Sequence, residues 1–153
     1  NNAYAQDNPT GWIDWAEADG ALAAFVARLA QMRRDHPLLR QTSFLHADRR
    51  EVDGLRDVIW RRADGREPQP ADWHDAGLRC LGIELRRDAQ AGGQGTDAVY
   101  AVFNAGEAQV LTLPDTARWR LILDTTRPAL APGQPVTSPL DLPAHCVMVF
   151  ASV

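Results

Sequence analysis

Residues 81–86 read LGIELR, a run in which Leu81, Ile83 and Leu85 alternate with a glycine and two charged residues. Successive side chains of a β-strand point to opposite faces, so an apolar residue at every second position indicates a strand and not a helix. This run predicts that the part of the chain around it is built from β-strands.

Further runs of β-type residues lie on both sides of it, at residues 58–60, 98–103, 110–113, 119–123, 136–142 and 146–150. Turn-forming residues separate them, and no helical crossover fits between them, so the strands must pair antiparallel. The pattern predicts a mainly β fold, an antiparallel two-sheet β-sandwich with Greek-key-like connections. The runs at 98–103 and 146–150 are apolar on both faces and are expected at its centre.

Two segments are expected to be irregular. Residues 64–75 are crowded with Gly, Pro and charged side chains, and residues 89–96 include Gly92, Gly93 and Gly95. Such compositions are typical of loops between regular elements.

The residues before the sandwich have a helical pattern. Between Asp19 and His36 apolar residues recur at steps of three and four and form one stripe: Leu22, Phe25, Val26, Leu29 and Met32. Asp19 can accept hydrogen bonds from the first free amide groups, and Pro37 disfavours helical geometry at His36. The stripe needs an apolar partner, so we expect the helix to dock on the sandwich or on a second copy, forming a homo-oligomer.

Charge and hydropathy exclude several classes of partner. The chain has 45% hydrophobic and 24% charged residues and a formal net charge of −4. Nucleic acid and anionic membrane surfaces both require a concentrated basic patch, so neither is an expected partner. No apolar run approaches the roughly 18 residues of a membrane-spanning helix, and the first residues do not resemble a signal peptide. A cytoplasmic location is expected.

The residues of the types that bind metals are spread along the sequence and lack the spacing of a ligand set. Cys80 and Cys146 lack the paired spacing of a zinc site and are expected to be two buried thiols. None of the four histidines has a second ligand or a carboxylate at a suitable spacing. Asp14, Glu17 and Asp19 crowd a helix N-terminus, where the helix dipole explains them. No metal and no cofactor is expected.

Three stretches resemble isoamylase-type debranching enzymes of the α-amylase superfamily. Residues 1–8 (NNAYAQDN) with 12–15 (WIDW) are similar to the loop after the eighth barrel strand, and residues 25–37 to the last barrel helix. Residues 60–66 (WRRADGR), 72–73 (DW) and 79–82 (RCLG) resemble the start of the C-terminal β-domain. Together these motifs cover most of the chain.

The resemblance implies a division of the chain and a function. Residues 1–40 would be the last loop and last helix of the catalytic (β/α)8 barrel, and residues 41–153 the C-terminal sandwich that braces the barrel. The parent would be a retaining glycoside hydrolase that cleaves α-1,6 branch linkages in glycogen or its limit dextrin. Its acids would lie on middle barrel strands outside this chain, so no catalytic residue is expected here and the chain alone should be inactive.

The same resemblance gives candidate substrate-binding residues. Asn2, Tyr4, Gln6 and Asp7 would lie on a loop at the top of the barrel, where such side chains can hydrogen-bond sugar hydroxyls. The alternative is that Asn2, Asp7 and Asn8 stabilise turns of the loop's own backbone. Both interpretations stay open on the sequence alone.

Rival functions remain for the sandwich. A free-standing carbohydrate-binding module would expose two or three coplanar aromatic rings on one sheet face. The chain could also belong to another enzyme of the superfamily, a trehalohydrolase or a branching enzyme.

The five tryptophans have different expected positions. Trp60 and Trp119 are expected in the core. Trp12 and Trp15 are expected to pack beside the helix start, and Trp73 is expected to be exposed.

Overall fold

The computed structural model describes residues 4, 7–42, 44–49, 54, 56–88, 96–115 and 117–153. The chain divides into two compact units, Asn1–Gln31 and Met32–Val153. The predicted boundary between residues 40 and 41 stays a prediction. Helical elements come first in the chain: a 3-10 helix Trp15–Glu17, an α-helix α1 Gly20–Asp35 and a second 3-10 helix Pro37–Arg40.

Helix α1 begins and ends close to where the sequence predicts. The Asp19 carboxylate accepts hydrogen bonds from the Ala21 and Leu22 amides at 2.9 and 3.0 Å, which satisfies two of the free donors at the helix start. The last turn is tied to the following 3-10 helix, because Arg40 donates to the Arg33 and Arg34 carbonyl oxygens. Within the described ranges, no helix is both long and apolar enough to cross a membrane.

The apolar residues on α1 and before it are exposed. No residue of α1 is buried, and Leu22 and Val26 of the apolar stripe are 58% and 54% exposed. Trp12 and Trp15 are exposed as well, so the prediction that they pack beside the helix start was wrong.

The described residues form eight strands in two antiparallel sheets. They are β1 Val58–Arg61, β2 Cys80–Asp88, β3 Thr96–Asn104, β4 Gln109–Leu111, β5 Trp119–Asp124, β6 Gln134–Val136, β7 Leu140–Leu142 and β8 Cys146–Ser152. The larger sheet has the order β1-β2-β3-β8-β5-β6, and β4 pairs with β7 in the smaller one. The last strand, β8, lies between β3 and β5, so the chain returns to the middle of the sheet and gives it Greek-key character.

The predicted β-sandwich is confirmed, with two differences in detail. β3 and β8 occupy the centre of the large sheet, as their apolar sequences predict. The run predicted as one strand at 136–142 is two strands that belong to different sheets. Residues 64–75 include a 3-10 helix, Asp72–His74, and a turn closed by Arg62 and Arg66, so that segment is more regular than expected. Residues 89–95 lie outside the described residues.

The core lies between the two sheets. The ring of Tyr100 on β3 stacks on Phe150 of β8, with ring centroids 6.1 Å apart and planes at 23°. Leu111 of β4 and Leu142 of β7 close the core from the small sheet, and both are fully buried. Trp119 is buried as predicted, and its indole donates a 2.7 Å hydrogen bond to the Pro114 carbonyl oxygen.

The large sheet has three charged residues on the side that faces the core. We call this side the inner face; strand register places Glu84, Arg86 and Arg61 on it with Tyr100 and Phe150. The opposite surface, the outer face, is mostly apolar across the four strands β1, β2, β3 and β8, with the Arg87–Asp97 ion pair at one end. Its apolar residues are Val58, Trp60, Leu81, Ile83, Leu85, Val99, Ala101, Phe103, Val147, Val149 and Ala151.

The prediction that Trp60 is a core residue was wrong. Its side chain is 40% exposed because it lies on the outer face, opposite Ile83 of β2. A position inside a strand does not by itself place a side chain in the core, since only one of the two faces is closed by the small sheet.

Candidate functional site

The resemblance predicts glucan contact for four residues near the start of the sequence, Asn2, Tyr4, Gln6 and Asp7. Asn2 and Gln6 lie outside the described residues. Tyr4 is 81% exposed and has a positive φ of 48°. The Asp7 carboxylate accepts a hydrogen bond from the indole nitrogen of Trp12. Tyr4 and Asp7 are therefore on the surface, and their contact with substrate stays a prediction.

The loop also stabilises its own backbone. The Asn8 side-chain oxygen accepts a hydrogen bond from the Thr10 amide at 3.1 Å, and the Gly11 amide donates to the Asn8 carbonyl oxygen at 2.9 Å. These are the contacts of a turn-forming asparagine, so Asn8 has the structural role proposed for it.

The acidic residues near α1 act mainly as caps. The Asp14 carboxylate accepts from the Ala16 amide at 2.9 Å and begins the first 3-10 helix, while Asp19 begins α1. Over the described ranges, no group of three or more His, Cys, Asp or Glu could hold a metal ion. The cap geometry explains Asp14 and Asp19 without a ligand.

A buried ion cluster on the inner face was not anticipated from the sequence. Arg61 donates to the Oε2 atom of Glu84 through Nε at 2.9 Å and Nη2 at 2.7 Å, and Arg86 donates to Oε1 through Nε at 2.7 Å. The Glu84 side chain is 0% exposed. Both carboxylate oxygens are engaged by guanidinium groups, which makes Glu84 a structural anion and a poor nucleophile or acid.

One sequence signal pointed to this cluster. Glu84 and Arg86 are two residues apart in a strand, so they share a face and can form an ion pair. The third member, Arg61, comes from β1, and its position opposite Gly82 depends on a strand register that spacing does not reveal.

Asp124, at the end of β5, is the other fully buried carboxylate among the described residues. Burial acts to raise the pKa of its carboxyl, but hydrogen bonds from Thr126 and Arg127 outweigh burial and hold that pKa below its ordinary value of 3.8. The donors lie at 2.7 Å (Thr126 Oγ1), 2.8 Å (Arg127 Nε) and 2.9 Å (Thr126 amide). A depressed pKa is the opposite of what a general acid at neutral pH requires.

Both cysteines are free and buried, which confirms the prediction of two buried thiols. Burial, with a smaller contribution from the nearby Cys146, raises the pKa of the Cys80 thiol to about 11. Burial also raises the pKa of the Cys146 thiol. The Cys80 thiol is therefore protonated at neutral pH and is a weak nucleophile, because the thiolate is the reactive form.

Three exposed aromatic residues, Trp60, Trp73 and Phe103, lie at one end of the outer face. Phe103 is 49% exposed and Trp73, as predicted, 50% exposed, while Trp60 lies edge-on against Trp73. The two indole planes meet at 89° with centroids 5.9 Å apart. A sugar-stacking platform requires rings that present a common plane, and this pair does not provide one.

Together these features define a class of protein: an antiparallel β-sandwich domain whose described buried carboxylates are structural and whose large sheet is mostly apolar on its outer face. The model of the family described as "Isoamylase, C-terminal" matches residues 57–140, which is more than half of the chain. The chain belongs to this family.

Curated relatives extend the match to nearly the whole chain. It is 34% identical over 152 residues, 98% of its length, to a glycogen debranching enzyme of Cronobacter sakazakii (strain ATCC BAA-894). Glycogen debranching enzymes of Enterobacter sp. (strain 638) and Klebsiella pneumoniae subsp. pneumoniae are 34% and 32% identical over the same share. The chain spans about one fifth of the length of these relatives, 20% in each case. These matches favour the debranching interpretation over a free-standing binding module, a trehalohydrolase or a branching enzyme.

Proposed function

We propose that this chain is the C-terminal portion of a glycogen debranching enzyme that hydrolyses α-1,6-glucosidic branch linkages in glycogen or limit dextrin. The observation that supports it most is the family match at residues 57–140 within an alignment that covers 98% of the chain. In this proposal residues 1–40 complete the catalytic barrel, residues 41–153 form the accessory sandwich, and the enzyme acts in the cytoplasm.

The chemistry of the proposed reaction belongs to the part of the enzyme outside this chain. Hydrolysis with retention uses two carboxyl groups about 5–5.5 Å apart, one attacking the sugar carbon and one protonating the departing oxygen. Glu84 and Asp124 are held by arginines and are unsuited to either task. The proposal therefore assigns this chain no catalytic residue, no metal and no cofactor.

The proposed contribution of this chain to the site is the loop that carries Asn2, Tyr4, Gln6 and Asp7. Tyr4 is 81% exposed, and a position on the surface is what contact with a glucan chain requires. In the intact enzyme, Tyr4→Ala should raise KM for limit dextrin several-fold with a smaller effect on kcat, as expected for lost substrate binding. Asn8→Ala is the control for the loop's own structure, because it removes the hydrogen bond to the Thr10 amide and Asn8 is not one of the four candidate contacts.

The test of the whole proposal is an assay of the intact protein on phosphorylase limit dextrin. We expect release of short linear maltooligosaccharides, with the α-anomer formed first in proton NMR spectra of the products. The 153-residue chain assayed at the same molar concentration should release no reducing sugar. A gain of branches would replace debranching by a branching activity, and release of trehalose from a trehalose-capped maltooligosaccharide, assayed in parallel, would replace it by a trehalohydrolase activity.

A further inference from the structure

A cleft of about 740 Å³ lies at one end of the sandwich, where strand β4 of the small sheet comes close to the start of β2. Residues 62–64, 75–80 and 106–112 supply its lining, and none of the apolar residues of the outer face takes part. Its volume is within the range of about 300–1,000 Å³ that small-ligand sites occupy. We call it the β4 cleft.

The turn between β3 and β4, which borders the β4 cleft, is held by the buried side chain of Asn104. Its Nδ2 atom donates to the carbonyl oxygens of Glu107 at 2.9 Å and Pro143 at 2.7 Å. Its Oδ1 atom accepts from the Gly106 amide and from Nε2 of Gln109, both at 3.1 Å. Both donors and both lone pairs of the amide are thus engaged, which fixes the backbone of this turn.

Two further turns at the β4 cleft are held by aspartates. The Asp75 carboxylate accepts a hydrogen bond from the Gly77 amide at 2.7 Å, and the Asp64 carboxylate accepts one from the Arg66 amide at 3.0 Å. The cleft is therefore bounded by turns that are fixed by their own hydrogen bonds. Such preorganisation lowers the entropic cost of binding a ligand.

The β4 cleft presents donors and acceptors side by side. Arg79 and Glu107 are exposed in it and take part in none of the ion pairs between described residues. Gly106 leaves room for the arginine, since a Cβ atom added there would lie 2.9 Å from the Arg79 Cβ. Leu78 and Val110 add apolar surface to the lining. Opposite charges beside apolar surface suit a neutral ligand with many hydroxyl groups better than an ion.

We propose that the β4 cleft binds a linear segment of an α-glucan chain as a second, non-catalytic site. This rests on the proposed function, because it takes the intact protein to act on a glucan. Neighbouring sugar hydroxyls accept hydrogen bonds from Arg79 and donate to Glu107, while the apolar faces of the sugar rings pack on Leu78 and Val110. A polymer held in this cleft meets the catalytic site at high effective concentration, because the two sites are covalently linked.

A small anion and an extended peptide fit the β4 cleft less well. An anion would meet the carboxylates of Asp64, Asp75 and Glu107. A peptide that added a strand beside β4 would need free backbone groups at its edge, but the Thr112 amide already donates to the Ala63 carbonyl oxygen at 2.8 Å.

Hydrogen–deuterium exchange of the intact protein, with and without maltoheptaose, tests the proposal. We expect saturating maltoheptaose to slow the exchange of amides in residues 105–110 at least about fivefold, because binding stabilises the closed state by mass action. The double variant Arg79→Ala with Glu107→Ala should abolish this slowing. Asp115→Ala with Arg118→Ala is the matched control, since both residues are exposed and lie outside the cleft, and it should leave the slowing unchanged.

Three results would overturn the proposal: no slowing at residues 105–110, equal slowing in the Arg79 and Glu107 double variant, or equal slowing by inorganic phosphate. The first means that no glucan binds there, the second that the effect comes from a glucan bound elsewhere, and the third that the cleft is an anion site. The unsubstituted protein gives the first and third results without any variant, so a variant that fails to fold does not remove the test.

The same measurement separates this proposal from the proposed function. Maltoheptaose has no branch, and exchange is followed without any cleavage. A protein that fails to debranch limit dextrin can therefore still show the slowing, and a protein that debranches without it contradicts the second site alone.

Discussion

At the scale of single residues, Gly82 shows how closely the inner face is packed. A Cβ atom added there would lie 2.2 Å from the Tyr100 hydroxyl oxygen and 2.5 Å from its ring, and Tyr100 is fully buried. The ring is stacked on Phe150 and cannot move aside without disturbing the core. Gly82 is therefore needed for space and not for backbone freedom.

Gly82→Ala should lower the free energy of unfolding by about 1–3 kcal/mol, the usual cost of overpacking. Gly20→Ala is the control, because an added Cβ there meets no atom within 4 Å, and it should be neutral or slightly stabilising. Urea titration followed by tryptophan fluorescence measures both. Equal stability of the two variants would contradict the packing argument.

A substitution of Tyr100 should not lower stability as Gly82→Ala does. Its hydroxyl is buried without a hydrogen-bond partner in the described part of the structure, which is an unfavourable state for a polar atom. Tyr100→Phe keeps the ring stack and removes the hydroxyl, so we expect unchanged or increased stability. A loss above about 1 kcal/mol would show that the hydroxyl has a partner.

Glu84 is the residue on which the inner ion cluster depends. Glu84→Gln keeps the shape but leaves Arg61 and Arg86 without an anion, and uncompensated buried charge costs about 3–5 kcal/mol. Glu67→Gln is the control: Glu67 pairs with Arg56 near the surface, with 43% of its side chain exposed, and its loss should cost about 0–1 kcal/mol. Similar costs for both variants in chemical denaturation would refute a buried cluster.

At the scale of elements, the alternation of side chains along the strands and the residues that begin and end α1 were predictable from the sequence. Which face of a strand points toward the core was not. Residues 81–86 have the alternation of a strand, and Asp19 and Pro37 bracket α1 closely. Alternation alone does not say which set of side chains faces the core. Here Gly82 and Glu84 face inward, because Tyr100 needs the space and Arg61 supplies the counter-charge. These reasons lie in the register between strands, which one sequence does not display.

The apolar stripe of α1 is exposed at Leu22 and Val26, and it predicts an apolar partner. Full burial of Leu22 and Val26 would be worth about 1.5–3 kcal/mol for each side chain, so a second copy is an expected partner in the isolated chain. Leu22→Glu with Val26→Glu should then abolish any concentration-dependent increase of mass in sedimentation equilibrium. Ala24→Glu with Ala27→Glu, on the opposite side of α1, should leave it unchanged. A chain that stays monomeric before substitution would contradict the homo-oligomer prediction.

At the scale of the whole molecule, the fold class and family were predictable because strand spacing excludes parallel pairing and three motifs carry the resemblance. The assignment of strands to sheets was not. Residues 136–142 read as one run, yet β6 pairs with β5 and β7 with β4. The candidate loop was located by resemblance alone, and two of its four residues lie outside the described part of the chain. Which residues share the outer face of the large sheet depends on the register between strands, which the sequence alone does not give.

The stability of the whole molecule in acid depends on the hydrogen bonds that its carboxylates accept in the folded state. The pKa of Asp124 is lowered on folding, so its contribution to stability is present above the ordinary value of 3.8 and is lost as the pH falls through the lower folded value. The free energy of unfolding should therefore decline below about pH 4, and the difference between the unsubstituted chain and Asp124→Asn should shrink there. Thr126→Val removes one donor to Asp124 and moves the folded pKa of that carboxyl back toward 3.8, so the decline of its stability with falling pH should be smaller and should end at higher pH. Urea titrations between pH 2 and 7 measure all three proteins, and a constant difference between the unsubstituted chain and Asp124→Asn down to pH 2 would refute the role of Asp124.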